Sequence, residues 1–206
     1  VSADGSVIAG ISTGGDETSI NPSSISTRQP YLASQSGASF GLGFPRKHPS
    51  LVYDAAPSAI SGDGKVLALS SQIRGLNTRP ATWSARDGFL NADDYGEGFL
   101  SSIAALNFDG TVFGGTNGSL PAYWSQVGGM KSLPLPSAEN RRGFINAISH
   151  DGTRFAGRVE GPGDFREAFL YTEADGYAFL GDLPGGIFMS YAHAISPNGQ
   201  LVAGLS

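Results

Sequence analysis

The sequence predicts an all-β protein, a β-propeller or propeller-like array of four-stranded antiparallel blades with about 4.5 repeats present. Three observations predict it. First, a short apolar run, an Asx-Gly pair and a second apolar run recur five times. The copies are residues 1–10 (VSADGSVIAG), 59–70 (AISGDGKVLALS), 104–115 (AALNFDGTVFGG), 147–157 (AISHDGTRFAG) and 194–204 (AISPNGQLVAG). Second, another hairpin pattern recurs between them, anchored on Trp83, Trp124 and Tyr171, each with a glycine five residues later (Gly88, Gly129, Gly176). Third, no stretch of ten or more residues carries a 3.6-residue apolar period.

Each Asx-Gly pair predicts a tight hairpin turn, read here as a two-residue type I′ turn, because Gly adopts positive φ freely and Asp and Asn tolerate it. The turn glycines Gly5, Gly64, Gly110, Gly152 and Gly199 are spaced 59, 46, 42 and 47 residues apart. The first interval holds a polar stretch at residues 12–29 that reads as an inserted loop, and residues 43–56 form a second atypical connection with Arg46, Lys47 and His48 close together. Residues 30–43 are a weaker copy of the aromatic hairpin. In the third unit the four strands are expected near 102–107, 111–116, 122–125 and 130–134. The chain therefore reads as one repeat domain over residues 1–206. Its units lie at approximately 1–55, 56–100, 101–143 and 144–189, with a half unit at 190–206. The links from each aromatic hairpin to the next Asx-Gly hairpin differ in every unit (91–101, 134–143, 181–190). Variable loops on a repeated frame are where binding concentrates.

Composition excludes several function classes. Lys and Arg total 13 against 18 Asp and Glu, a net charge of −5 with no basic run, so a nucleic-acid footprint is not expected. There is no cysteine, which removes disulfides, Cys-ligated zinc and a Cys nucleophile. No apolar run approaches the roughly 20 residues of a membrane-spanning helix, and no signal peptide is visible. Low charge with abundant Ser, Thr and Gly fits an extracellular or bacterial cell-surface protein. Because the chain starts at Val1 within a repeat hairpin, a preceding segment is expected.

The stretch Ala168-Phe169-Leu170-Tyr171, then Leu180-Gly181-Asp182-Leu183-Pro184-Gly185-Gly186, then Tyr191-Ala192-His193-Ala194-Ile195-Ser196 through Gly204, resembles the HAF family of bacterial extracellular repeats. Glu167 stands where that family's naming histidine would be, and the other units keep only the aromatic and the turns. The resemblance implies a secreted or surface location, as in autotransporter passengers, and a repeat fold. It implies no activity and no site residues.

No catalytic residue, cofactor or metal site is assigned. His48, His150 and His193 have no nucleophile motif beside them, and His150 reads as an exposed turn residue. Asp4, Asp63, Asp109 and Asp151 are explained by turn chemistry, and Asn198 at the fifth copy agrees. Trp83, Trp124 and Tyr171 read as packing anchors, with sugar stacking as the alternative. The candidate binding residues are Asp93, Asp94 and Tyr95 in one variable link, with Glu97 beside them, and Arg141 and Arg142 in another. The expected function is a binding, adhesion or display module for a glycan or a cell-surface protein, without membrane insertion of this segment. The alternatives are a carbohydrate-active enzyme using acids from 93–97 or from Glu160, Asp164 and Glu167, and a structural spacer.

Overall fold

In a computed structural model, which describes residues 1–13, 28–43, 52–73, 78–96 and 98–206, the chain is all-β and antiparallel throughout except at two single pairings. It divides into two compact units, Val1–Glu97 and Gly98–Ser206. The histidine at 48, the basic trio at 46–48, Glu97 and most of the polar stretch at 12–29 lie outside the described residues.

In the first unit, β1 (Val7–Thr13), β2 (Arg28–Ser34) and β3 (Ser39–Gly41) form a three-stranded antiparallel group. β4 (Val52–Ile60), β5 (Val66–Ile73), β6 (Arg79–Ser84) and β7 (Gly88–Asn91) form a four-stranded meander. A single parallel pairing, Arg28 with Asp54, joins the two groups. Leu32, Leu67, Leu69 and Ala81 make the core between them, with Trp83 and Phe89 packed against it.

The second unit repeats the meander. β8 (Ser102–Leu106), β9 (Val112–Asn117), β10 (Leu120–Ser125) and β11 (Gly129–Ser132) make one sheet. β12 (Arg142–Ile148), β13 (Arg154–Glu160), β14 (Arg166–Thr172) and β15 (Gly176–Gly181) make the next. β16 (Tyr191–Ile195) and β17 (Val202–Leu205) form a hairpin of their own. The strands expected in the third unit are all present, within one or two residues at their starts. Phe155, Phe169, Ile145, Val159, Tyr123 and Leu133 fill the core of this unit.

The turns differ from the expectation in one respect. The Gly5 N–H donates to Ser2 O at 3.0 Å and the Ser2 N–H to Val7 O at 2.9 Å, so the loop holds four residues, not two. Its corner is Ala3-Asp4, and Gly5 follows in the left-handed region at φ 73°. The other four copies close in the same way, through Ser61, Asn107, Ser149 and Ser196. Aspartate is there for its carboxylate. Asp151 Oδ1 accepts from Ser149 Oγ and from the Thr153 N–H at 3.1 Å, while Ser149 Oγ accepts the Arg154 N–H at 3.0 Å. The side chains thus take up backbone donors that a four-residue loop leaves unpaired.

Successive turns also interlock. The Ala3 N–H donates to Gly62 O at 2.8 Å, the Phe108 N–H to His150 O at 3.3 Å and the His150 N–H to Pro197 O at 3.0 Å. These residues occupy one equivalent position, and each is used through its backbone. That is why Ala, Gly, Phe, His and Pro can all stand there. The turn glycine has a second duty. A Cβ on Gly152 would come within 2.7 Å of Val112 Cγ2, and one on Gly64 within 3.0 Å of Val7 Cγ2, so each turn packs onto the hairpin before it.

Asp4, Asp109 and Asp151 are held below the usual carboxylate pKa by hydroxyl donors, from Ser2, Thr111 and Ser149 respectively, and Asp4 is brought down to about 2. At Asp63 burial opposes the shift, but the Ser61 hydroxyl and the Lys65 N–H outweigh it. A carboxylate depressed in the folded state contributes stability above its unfolded pKa and loses it as pH falls through the folded value. The thermal midpoint is therefore expected to hold at neutral pH and to drop from about pH 4 towards pH 2. A variant with all four aspartates changed to asparagine should flatten that acid limb. An acid limb unchanged in the quadruple variant would show that other carboxylates govern it.

Candidate functional site

The first predicted group, Asp93 to Tyr95, lies on a single 3-10 turn spanning Ala92–Tyr95, directly after β7. Asp93 is exposed and pairs with Arg79 at 3.2 Å. Asp94 Oδ2 accepts the Asn91 N–H at 2.8 Å and so caps the start of the turn. The Tyr95 hydroxyl pairs with Thr82 Oγ1 on β6, and burial raises its pKa. All three side chains thus tie the link to its own sheet, Asp93 through an exposed ion pair with Arg79 of β6.

The second group, Arg141 and Arg142, is exposed at the start of β12. The Arg141 N–H donates to Glu160 O at 2.7 Å, which anchors the main chain. Among the described residues neither guanidinium has an ion-pair partner, Glu139 included. The two predicted groups fall in different compact units.

Of the acids weighed for glycoside hydrolysis, Glu160 and Glu167 do not form a pair. Arg166 lies directly opposite Glu160 across the β13–β14 ladder, so their side chains share a face. Glu167 is the next residue and points to the other face. Glu160 Oε1 accepts from Arg158 Nε at 3.0 Å and lies 3.6 Å from Arg166 Nε, so it is held between two guanidiniums. Asp164 is exposed in the loop between these strands. Burial raises the pKa of Glu167, which has no hydrogen-bond partner among the described residues. Two acids on opposite faces of one sheet cannot flank a glycosidic bond.

The sequence reading missed the cluster around Glu160. Arg158 Cζ lies 4.2 Å from the Phe144 ring centroid and 5.2 Å from that of Tyr191. Arg166 Cζ lies 5.8 Å from the Tyr191 ring, and its Nη1 donates to Met189 Sδ at 3.2 Å. The cluster therefore joins the β12–β15 sheet to β16 by cation–π contacts and a shared carboxylate. Asn146 adds a hydrogen bond from Nδ2 to Ala192 O at 2.9 Å. The signal in the sequence was the Arg-x-Glu alternation of residues 158 and 160, but only the strand register brings Arg166 and Tyr191 to it. Glu160→Ala should cost on the order of 2 kcal/mol in urea unfolding, because it leaves two partly buried guanidiniums without their counter-charge. A loss below a few tenths of a kcal/mol would show the cluster to be solvated.

The repeated aromatics pack within the fold. Trp124 stacks on Phe113, its cross-strand partner, with centroids 4.9 Å apart, and meets Phe99 edge-on at 6.1 Å. Tyr171 faces Phe155 and Tyr177. Trp83 packs against the core between the two strand groups of the first unit. All three rings are half-buried and make their ring contacts within their own compact unit. His150 is exposed with its ring tilted against Phe108, centroids 4.8 Å apart, and His193 is exposed beside Tyr191 at 5.9 Å.

Among the described residues, no cluster of three or more His, Asp or Glu side chains could hold a metal ion, and no helix is long and apolar enough to cross a membrane.

Comparison with known proteins yields likeness at the level of solved structures. No protein-family model matches the sequence, and no curated protein matches it. TolB from Acinetobacter baumannii aligns over 98% of this chain and 46% of its own, with a TM-score of 0.59 and 20% identity. A TolB-like protein from Agrobacterium tumefaciens aligns over 100% of this chain and 73% of its own, with a TM-score of 0.59 and 14% identity. A prolyl endopeptidase chain aligns over 90% of this chain and 31% of its own, with a TM-score of 0.58 and 12% identity. The likeness is one of fold. It supports a propeller-like arrangement of the four-stranded sheets. The chain spans about half of the first of these structures and about a third of the prolyl endopeptidase.

Proposed function

We propose that this chain is part of a closed β-propeller that serves as a non-enzymatic binding or display module, secreted or held at a bacterial cell surface, as its resemblance to HAF repeats implies. The ligand on this reading is a glycan or a cell-surface protein. One observation carries the proposal: the two ends of the sheets are built differently. In an antiparallel meander the Asx-Gly turns and the aromatic-hairpin turns fall at one end of each sheet, and the links between repeats fall at the other. The first end is a set of near-copies, closed by the same Ser, Asx and Gly contacts. At the second end every link differs, and those links carry the exposed Arg141 and Arg142 and the exposed Leu183 and Ile187, 70% and 67% accessible. Repeated geometry at one end and varied chemistry at the other is the division of labour expected of a binding scaffold.

The test is to present the 206-residue protein to a glycan array and to intact bacterial and mammalian cells. Saturable binding is expected, reduced at least tenfold in an Arg141→Ala, Arg142→Ala double variant whose thermal midpoint is unchanged. Blank results on the array and on cells, with a folded protein, would overturn the binding reading. Release of reducing sugar from array glycans would favour the enzyme instead.

A further inference from the structure

Arg142, Glu160 and Arg166 stand directly opposite one another on β12, β13 and β14, so their side chains share one face of the sheet. Arg158, two residues before Glu160 on β13, lies on that face too. Three guanidiniums thus surround one carboxylate. Glu160 Oε1 serves Arg158 Nε at 3.0 Å and Arg166 Nε at 3.6 Å. Arg142 is exposed, and its side chain has no hydrogen-bond or ion-pair partner among the described residues. No other acid neutralises the excess. Glu167 leaves the opposite face, and the Asp182 carboxylate accepts the Leu183 and Met189 N–H groups. Glu139 and Asp164 are exposed and form no ion pair among the described residues.

The cluster also holds donors in reserve. Arg158 gives only Nε to Glu160. Arg166 gives Nη1 to Met189 Sδ, and a thioether is a weak acceptor. Arg158 Nη1 and Nη2 and Arg166 Nη2 have no acceptor among the described residues. Water reaches both side chains, which are 21% and 31% exposed. Aromatic rings meanwhile fix the guanidinium positions, Phe144 beneath Arg158 and Tyr191 beside both Arg158 and Arg166. Guanidiniums held in this way lose little freedom when they bind a planar or tetrahedral acid group.

We infer that the face around Glu160 is an oxyanion site, in which Arg142 and Arg166, on the strands either side of Glu160, close on one carboxylate or phosphate group of a ligand. Given the binding reading above, on which this rests, the ligand is an acidic glycan and not a neutral one. The cluster is compact, which suits a single acid group on a sugar and not the run of acids in an acidic peptide. Glu160 is the resident competitor: its carboxylate holds Arg158 and Arg166 in place and takes up part of the charge that the ligand would meet.

The test is the glycan array with the 206-residue protein, acid-bearing members set against their carboxyl-reduced or dephosphorylated counterparts. Binding to acid-bearing members is expected, with inorganic phosphate competing. It should be about tenfold weaker for the neutralised counterparts and about tenfold weaker in Arg142→Gln. Glu160→Gln should bind more tightly than the unchanged protein, because it frees two guanidiniums; a purely structural cluster would not respond in that direction. If Glu160→Gln does not fold, judged by circular dichroism, Arg142→Gln and the neutralised glycans decide. Equal binding to acid-bearing and neutralised glycans would overturn the oxyanion site and leave the binding reading standing. So would weaker binding by a folded Glu160→Gln. Tighter binding of a poly-glutamate peptide than of any acidic glycan would make the ligand an acidic protein instead. No binding to any glycan or cell would overturn both readings.

Discussion

Gly157→Ala is expected to destabilise the protein by more than about 3 kcal/mol, among the largest effects of any single methyl group in this chain. Gly157 lies on β13 opposite an irregularity in β12, where the register skips Asn146 between Ile145 and Ala147. The bulge presses the β12 backbone against β13. A Cβ at Gly157 would sit inside the contact shell of Phe144 O, 2.9 Å from Phe144 C and 2.9 Å from Phe169 Cζ. Neither backbone nor the fully buried Phe169 ring can yield cheaply. The same crowding recurs at Gly115 against Ser102 O and at Gly204 against Tyr191 O, each opposite a skipped residue. Gly176→Ala is the control. Gly176 has φ 74° and open space around its would-be Cβ, so alanine there should cost only about 1 kcal/mol, for the left-handed backbone alone. Urea unfolding of the two variants separates crowding from conformation. Equal losses would show that the bulge relaxes.

Phe155→Ala should cost about 3–5 kcal/mol, and Phe155→Leu clearly less. Phe155 is 1% exposed and stands at the centre of the second unit's core. It stacks on Tyr123 of the neighbouring sheet at 4.5 Å and lies 6.4 Å from Tyr171 of its own. Truncation leaves a cavity between two sheets, which rigid strands cannot close. It also removes the support of Tyr123, whose hydroxyl bonds to Glu173. Burial and that carboxylate raise the Tyr123 pKa, and Lys131 lowers that of Glu173 by pairing with it at 2.6 Å. Amide exchange should therefore quicken in β10 and β11 as well as in β13. A change confined to β13 would mean that the sheets are joined elsewhere.

Much of this architecture is legible in the residues themselves. The Asx-Gly recurrences mark hairpins because glycine at that position must take positive φ, and Gly5, Gly64, Gly110, Gly152 and Gly199 all do. The aromatic hairpins are marked in the same way by Gly88, Gly129 and Gly176, all at positive φ. The loop size was not legible. Whether an Asx-Gly pair fills a two-residue turn or ends a four-residue one depends on which residues close the hairpin, and Ser2, Ser61, Asn107, Ser149 and Ser196 do so through bonds that a pattern of apolar residues does not register. The serine two positions before the Asx in four of the five copies was the available clue.

The candidate site was less legible, because side chains one residue apart in a strand face opposite ways and meet partners set by register. Glu160 and Glu167 are close in sequence yet on opposite faces, and Glu160 belongs to Arg158 and Arg166. Asp94 and Tyr95, read as binding residues, hold their own link in place. The sequence by itself determined the local units, since turn glycines, short apolar runs and aromatic anchors act over a few residues and repeat. Tertiary structure alone decided how those units meet: which backbone groups interlock at Ala3, Phe108 and His150, where the bulges force Gly115, Gly157 and Gly204, and which arginines share Glu160. Those outcomes depend on register and sheet stacking, which bring together residues that the chain keeps tens of positions apart.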